Sequence, residues 1–302
     1  GLYHRAIIQS GVMRSGLLGG DRELSRKIGQ KTVKNLNLNR DNRKEIETME
    51  YETLAAAVAK ACEEEKNHLF TVWSPVADGE YFVGNPLHTG FRKETKHIPV
   101  LIGSCVCEFL PSPVGRKENW TEEQKKAVVK ERFGEETEAV TKAFAEAYPE
   151  LDPSYAAAVD HEIRPAVLDF SSRRTKEAEA PVYNYVFAFE SPLLGGQLTG
   201  HNGDLHFMFH NALYMEAMYK KDITARLQDE MAGAWASFAK TGSPNGEQLP
   251  CWKPYTEEKK ACMIYGDQTI LRENHDRDLI TLIEEKNCNL CKKYKKHKTI
   301  TK

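Results

Sequence analysis

The 302-residue sequence contains no apolar run approaching the ~20 residues that a membrane-spanning helix requires, and its mean hydropathy is −0.57. A membrane role is therefore not expected. It has no excess of charge of either sign: 42 Lys and Arg stand against 44 Asp and Glu, for a formal net charge of −2. A generic nucleic-acid binder would be basic, so that class is excluded as well. Internal repeats and low-complexity tracts are absent, except that the stretch from Lys286 onward is too basic and polar to bury. The opening at Gly1 shows neither the charged n-region nor the apolar h-region of a secretory leader. Seven cysteines, an odd number scattered through a long chain, do not form a disulfide framework, which points to a reducing, cytoplasmic compartment. Last, no serine stands in a Gly-x-Ser-x-Gly turn, the arrangement that lifts a nucleophilic hydroxyl above a sheet.

What is present is ordinary globular composition, 40% hydrophobic and 28% charged, long enough to bury a large core. Ala6-Ile7-Ile8-Gln9-Ser10-Gly11 reads as a short buried strand ending in a turn. Asp21 is placed to cap a helix carrying Leu24 and Ile28. A second helix carries Leu54, Val58, Ala61 and Cys62 on one face. Trp73 to Gly79 is loop and turn, punctuated by Pro75 and Asp78-Gly79. The run His97 to Gly103 is apolar without alternation, as suits a parallel strand covered on both faces, and Cys105, Cys107 and Glu108 follow its end.

Thr121-Glu122-Glu123-Gln124 is a capping box opening a helix, and a further helix has Val140, Phe144 and Tyr148 on one face before Pro149. Val182 to Phe189 is the most strand-like run in the chain. Asp222 is expected to cap a helix with the stripe Ile223, Leu227, Met231, Trp235 and Phe238, ended by Gly242. Ala261 to Tyr265 reads as a last short strand. Helices and non-alternating strands interleave, so the fold class is α/β with a mostly parallel sheet flanked by helices.

Two residues are placed to carry chemistry. Glu108 ends a buried strand, and His201 lies in the loop Gly200-His201-Asn202-Gly203-Asp204 after a later strand. A carboxylate that orients an imidazole makes that imidazole a general base, able to take the proton of a hydroxyl nucleophile. The plain alternatives are a solvated strand-end carboxylate and a loop histidine. Asp204, His206 and His210 could share a face as a metal patch, but no second cluster completes it, and no metal or cofactor is expected. Cys288-Asn289-Leu290-Cys291 is a lone pair without the partner pair that zinc needs. Cys105 and Cys107 read as packed thiols.

Several segments together resemble the type-B carboxylesterases, the cholinesterase-like family. Gly1 to Gly11 looks like the segment just after that family's nucleophile elbow, and Pro75-Val76-Ala77-Asp78-Gly79 like its Pro-Val-Val-Asp-Gly turn. Val100-Leu101-Ile102-Gly103 through Glu108-Phe109 resembles the strand leading to the family's catalytic acid, and His201 to Asn211 its histidine loop. Trp235 to Gly242, Pro244-Asn245-Gly246 and Leu249-Pro250-x-Trp252-x-Pro254-Tyr255 are similar to its C-terminal signature. The matches are collinear over residues 1 to about 285. The sequence departs from the family at Cys105-Val106-Cys107-Glu108, where Asn-x-x-Glu is usual, and at Asn202-Gly203-Asp204.

The resemblance implies an α/β-hydrolase fold and a Ser-Glu-His carboxylic-ester hydrolase acting through an acyl-enzyme. In it Glu108 is the acid, His201 the base, and Ser10 a supporting hydrogen-bonding serine rather than the nucleophile. Gly19-Gly20 and Gly195-Gly196 lack the His-Gly-Gly setting of the family's oxyanion loop. The expectation is then a C-terminal portion of one hydrolase domain over residues 1–285, with 286–302 a basic tail. Its partners would be a small-molecule ester and an upstream segment bearing elbow and oxyanion hole, so the chain alone would be inactive. A non-catalytic cholinesterase-like binding module, or one half of a split hydrolase, are the competing readings.

Overall fold

A computed structural model describes residues 2–13, 22–66, 75–247 and 249–285. The chain divides into two compact units, Met13–Gly90 and, together, Gly1–Val12 with Phe91–Lys302.

In the Met13–Gly90 unit, α1 (Arg22–Asn35) and α2 (Tyr51–Glu64) bury Ile28 against Val58, Ala61 and Cys62, with Leu24 and Leu54 at the margin. These are the faces read from the sequence. Asp21, the expected cap of α1, lies outside the described residues, as do Trp73 and Ser74 of the following loop. The Asp78 carboxylate accepts the backbone N–H of Glu80, Tyr81 and Phe82, which fixes the expected turn. A short helix α3 (Pro86–Thr89) closes the unit, capped by Asn85, whose side chain accepts from Leu87 N–H.

The larger unit holds β1 (Ala6–Gln9), β2 (Val100–Cys105), β3 (Val182–Phe187), the small antiparallel pair β4 (Glu190–Ser191) and β5 (Gln197–Leu198), and β6 (Cys262–Tyr265) with β7 (Thr269–Arg272). Its main sheet runs β1-β2-β3-β6-β7, parallel except for β6 against β7. Its helices are α4 (Glu122–Phe133), α5 (Thr137–Ala147), α6 (Ile163–Glu177), α7 (Leu205–Met208), α8 (Thr224–Thr241) and α9 (Arg277–Glu285).

Side chains alternate across a strand, and here both faces are covered. Tyr183, Tyr185 and Phe187 of β3 pack with Leu227, Met231, Trp235 and Phe238 of α8. Val186, between them in sequence, packs on the opposite face with Val140 and Phe144 of α5 and Ile280 and Ile283 of α9. The central strands β2 and β3 are buried at every position, so they read as apolar runs without alternation. The Thr121–Gln124 capping box forms as expected.

Three expectations are corrected. The strand at Ala6–Gln9 is not buried: among the described residues it pairs only with β2, at the edge of the sheet, and Ile7 is exposed. Asp222 does not cap α8. It sits in the left-handed region at φ 62°, and the helix entry is instead tied by Thr224, whose hydroxyl accepts from Lys220 N–H and donates to Met218 O. The strand at Cys262–Tyr265 is not the last, because it turns back into β7. The helices α6 and α9 are not among those read from the sequence. For α6 the reason is that it buries Arg164, Ser171 and Arg174 along with its apolar residues, so no stripe stands out.

Candidate active site

β2 and β3 run side by side and release their chains at the same end of the sheet. After Cys105 the chain turns so that the Glu108 carboxylate folds back on it: Glu108 Oε1 accepts Cys105 N–H at 2.8 Å. The same oxygen accepts the Ser10 hydroxyl at 2.6 Å, delivered by the turn that ends β1, where Ser10 has φ 50°. Glu108 Oε2 lies 2.6 Å from His201 Nδ1, and the backbone joins the same two residues, His201 N–H donating to Glu108 O at 3.0 Å. The three residues singled out in the sequence thus converge.

Burial pushes the Glu108 carboxyl up to about 7, against the pull of its donors Ser10, His201 and Cys105 N–H. Its side chain is fully buried, whereas the His201 side chain is 30% exposed. A carboxylate on Nδ1 favours the Nδ1–H tautomer, in which Nε2 carries the lone pair; among the described residues no side chain hydrogen-bonds Nε2. Phe109 stands over the imidazole, ring centroids 4.4 Å apart, and is itself 62% exposed.

The histidine loop is held from the opposite side by residues that sequence reasoning did not assign to the site. The buried Asp204 carboxylate accepts Tyr185 O–H at 2.7 Å and Gln9 Nε2–H at 3.0 Å, and Gln9 Oε1 accepts Trp235 Nε1–H at 3.2 Å. The tight turn between His201 and Asp204 needs Gly203, where an added Cβ would stand 1.9 Å from Thr199 Cγ2. Gln9 and Asp204 both lie inside quoted motifs, so the signal was there, but their partners come from distant strands and helices. The carboxylate of Asp204 is thus committed, and His210 Nε2 instead meets Asp229 at 2.6 Å, so the residues of the considered metal patch point to different partners. Cys105 and Cys107 are buried free thiols; burial pushes Cys107 up to about 12, and it donates to Leu110 O. Gly195 and Gly196 form a turn after Leu193, with Gly196 N–H donating to Leu193 O. Cys288, Cys291 and the basic stretch 286–302 lie outside the described residues.

Comparison with known proteins bears on this geometry. Residues 1–279 match the model of the carboxylesterase family. The chain belongs to the carboxylesterase family. It is 26% identical over 289 residues to carboxylesterase 4A of Bos taurus, an alignment covering 86% of this chain and 52% of that protein. To para-nitrobenzyl esterase of Bacillus subtilis (strain 168) it is 26% identical over 284 residues, 91% of this chain and 55% of that one. A solved esterase from the anaerobe Clostridium hathewayi, described as hydrolysing aliphatic aromatic polyesters, superimposes with a TM-score of 0.83 at 30% identity, covering 94% of this chain and 57% of its own. The α/β-hydrolase fold follows from these likenesses and the mostly parallel, helix-flanked sheet. This carboxylesterase chain spans about half the length of the curated relatives it matches. Among the described residues, no helix is long and apolar enough to cross a membrane.

Proposed function

We propose that this chain is the acid–base portion of a serine carboxylic-ester hydrolase. The observation that carries the reading is the 2.6 Å approach of His201 Nδ1 to a buried Glu108 carboxylate, with the His201 side chain itself 30% exposed. In this mechanism His201 Nε2 takes the proton of a serine hydroxyl as its oxygen bonds to the ester carbonyl carbon. The imidazolium, stabilised by Glu108, then returns that proton to the leaving alkoxide, which departs as the alcohol and leaves an acyl-enzyme. Water repeats the cycle, giving its proton to His201 and its oxygen to the acyl carbon, and the serine leaves re-protonated. Ser10 holds the far oxygen of Glu108 and takes no part in proton transfer to substrate.

The nucleophile and oxyanion donors belong to sequence upstream of residue 1, and residues 1–285 form the C-terminal portion of one hydrolase domain, with 286–302 a basic tail. Support comes from the absence of a Gly-x-Ser-x-Gly turn and from the half-length coverage of the relatives. A general base contributes about 10²–10⁴-fold, and the residual rate of triad-deficient enzymes depends on an oxyanion hole, so this chain alone is inactive. The test is hydrolysis of a para-nitrophenyl ester series by the chain alone and by the chain joined to its upstream coding sequence. Turnover by the joined protein only is the expected outcome. Turnover by the chain alone, or a folded joined protein with an elbow serine and no turnover, sinks the reading.

A further inference from the structure

The loop that leaves Glu108 and the loop that arrives at His201 are stitched to one another. Beyond the Glu108 O to His201 N–H bond, Leu198 N–H donates to Ser112 Oγ at 3.1 Å, Val114 bridges Gln197, and Gly115 N–H donates to Gly196 O at 3.0 Å. At the far end of this ladder sits Lys117, 6% exposed. Its ammonium donates to Gly115 O at 2.7 Å and Gly196 O at 3.4 Å, one carbonyl from each loop. It also lies 4.8 Å from the ring centroids of both Trp120 and Tyr155. Tyr155 in turn donates to Glu190 Oε1 at 2.5 Å, so the carboxylate of β4 completes the cluster.

A lysine is seldom buried, and burial pushes this ammonium down from its ordinary value, with Glu190 the leading opposing influence. A charge in such a place is costly unless it is compensated, and here two carbonyl oxygens accept from the ammonium and two aromatic rings lie beside it. Gly196 shows how closely the loops meet: at φ +119° a Cβ there would stand 2.9 Å from Glu190 Oε1 and 3.4 Å from Gly115 O.

We propose that Lys117 is a positioning residue for the Glu108–His201 pair, clamping the loop that carries the acid to the loop that carries the histidine. It touches neither residue and acts through the ladder between them. The inference rests on the pairing of Glu108 with His201 described above, and the experiment separates the two. In proton NMR of the full-length protein that contains this chain, a short Nδ1–H bond to a carboxylate gives a far-downfield resonance, whose exchange with water reports how often the pair opens. Four variants are compared with the unaltered protein: Lys117→Met, Gly196→Ala, Glu108→Gln, and Val58→Ala in the α1–α2 core, which contains no residue of either loop.

Lys117→Met and Gly196→Ala are expected to speed exchange of that proton on the order of tenfold, while Val58→Ala, compared at matched loss of melting temperature, leaves it unchanged. Exchange in both loop variants that matches the unaltered protein, or an equal rise in Val58→Ala, overturns the role of Lys117. A resonance that survives Glu108→Gln overturns the pairing itself. Gly196→Ala opens the same joint from the other loop, so a Lys117→Met chain that fails to fold still leaves the proposal exposed to refutation.

Discussion

On the proposed mechanism, His201→Ala in the joined, full-length protein is expected to lower kcat for ester hydrolysis on the order of 10⁶-fold, and Glu108→Gln on the order of 10⁴-fold. The inequality follows from the geometry. In the proposed mechanism His201 Nε2 carries the proton in both half-reactions. Glu108 acts one bond further away, by holding the Nδ1–H tautomer and stabilising the imidazolium. A glutamine keeps the two contacts at the far oxygen, from Ser10 and Cys105 N–H, because its carbonyl still accepts. Its amide cannot accept from Nδ1–H, so the ring is driven to the wrong tautomer. Since the two residues work as a unit, the double variant should lose no more than His201→Ala alone. Steady-state turnover of a para-nitrophenyl ester checks all three. Multiplying losses in the double variant would mean that the residues act independently, contrary to the paired mechanism.

The second large effect is on stability. Arg164→Met should cost about 3–5 kcal/mol, the usual consequence of leaving one member of a buried ion pair without its partner. Arg164 and Asp276 are 1% and 2% exposed and meet through two bonds, Nε to Oδ2 at 2.7 Å and Nη2 to Oδ1 at 2.8 Å. The guanidinium further donates to Asn184 Oδ1 and Tyr185 O of β3, and Tyr148 O–H donates to Asp276. Adding Asp276→Leu removes the orphaned charge and should recover part of the loss. It should not recover all, because Asn184 Oδ1, Tyr185 O and Tyr148 O–H each lose a partner, at about 1–3 kcal/mol for each group left unsatisfied.

Burial alone would raise the Asp276 carboxyl, but the charge and hydrogen bonds of Arg164 hold it down to about 2. Its folded value lies below the unfolded 3.8, so its contribution is present above that pH and is lost as pH falls through about 2. The gap between wild type and Arg164→Met should therefore narrow across that window. Urea unfolding at a series of pH values measures both effects. A gap under about 1 kcal/mol at neutral pH would place Arg164 among surface-like pairs instead.

The parts of this molecule legible in its sequence are those fixed by short-range pattern. β2 and β3 show as apolar runs because both faces are covered. The stripe of α8 shows because one face is covered, and the capping box because its two bonds span Thr121 to Gln124. Glu108 and His201 were visible as a strand-end carboxylate and a loop histidine, and family resemblance, rather than spacing, gave them roles. What stayed hidden depends on distant partners. Arg164 in α6 reads as a surface charge until Asp276 arrives 112 residues later. Lys117 is buried only because Tyr155 and Gly196 close around it, and Asp204 only because Tyr185 and Gln9 reach it. The exposed edge at β1 likewise depends on which strands flank it, and four apolar-looking residues do not report that.

The most direct test of the central claim is fluorophosphonate labelling of the full-length protein, with the adduct mapped by peptide mass in wild type and His201→Ala. The account predicts a single labelled serine outside residues 1–302, whose labelling is lost when His201 is replaced. A labelled serine within this chain, or labelling indifferent to His201, would contradict it.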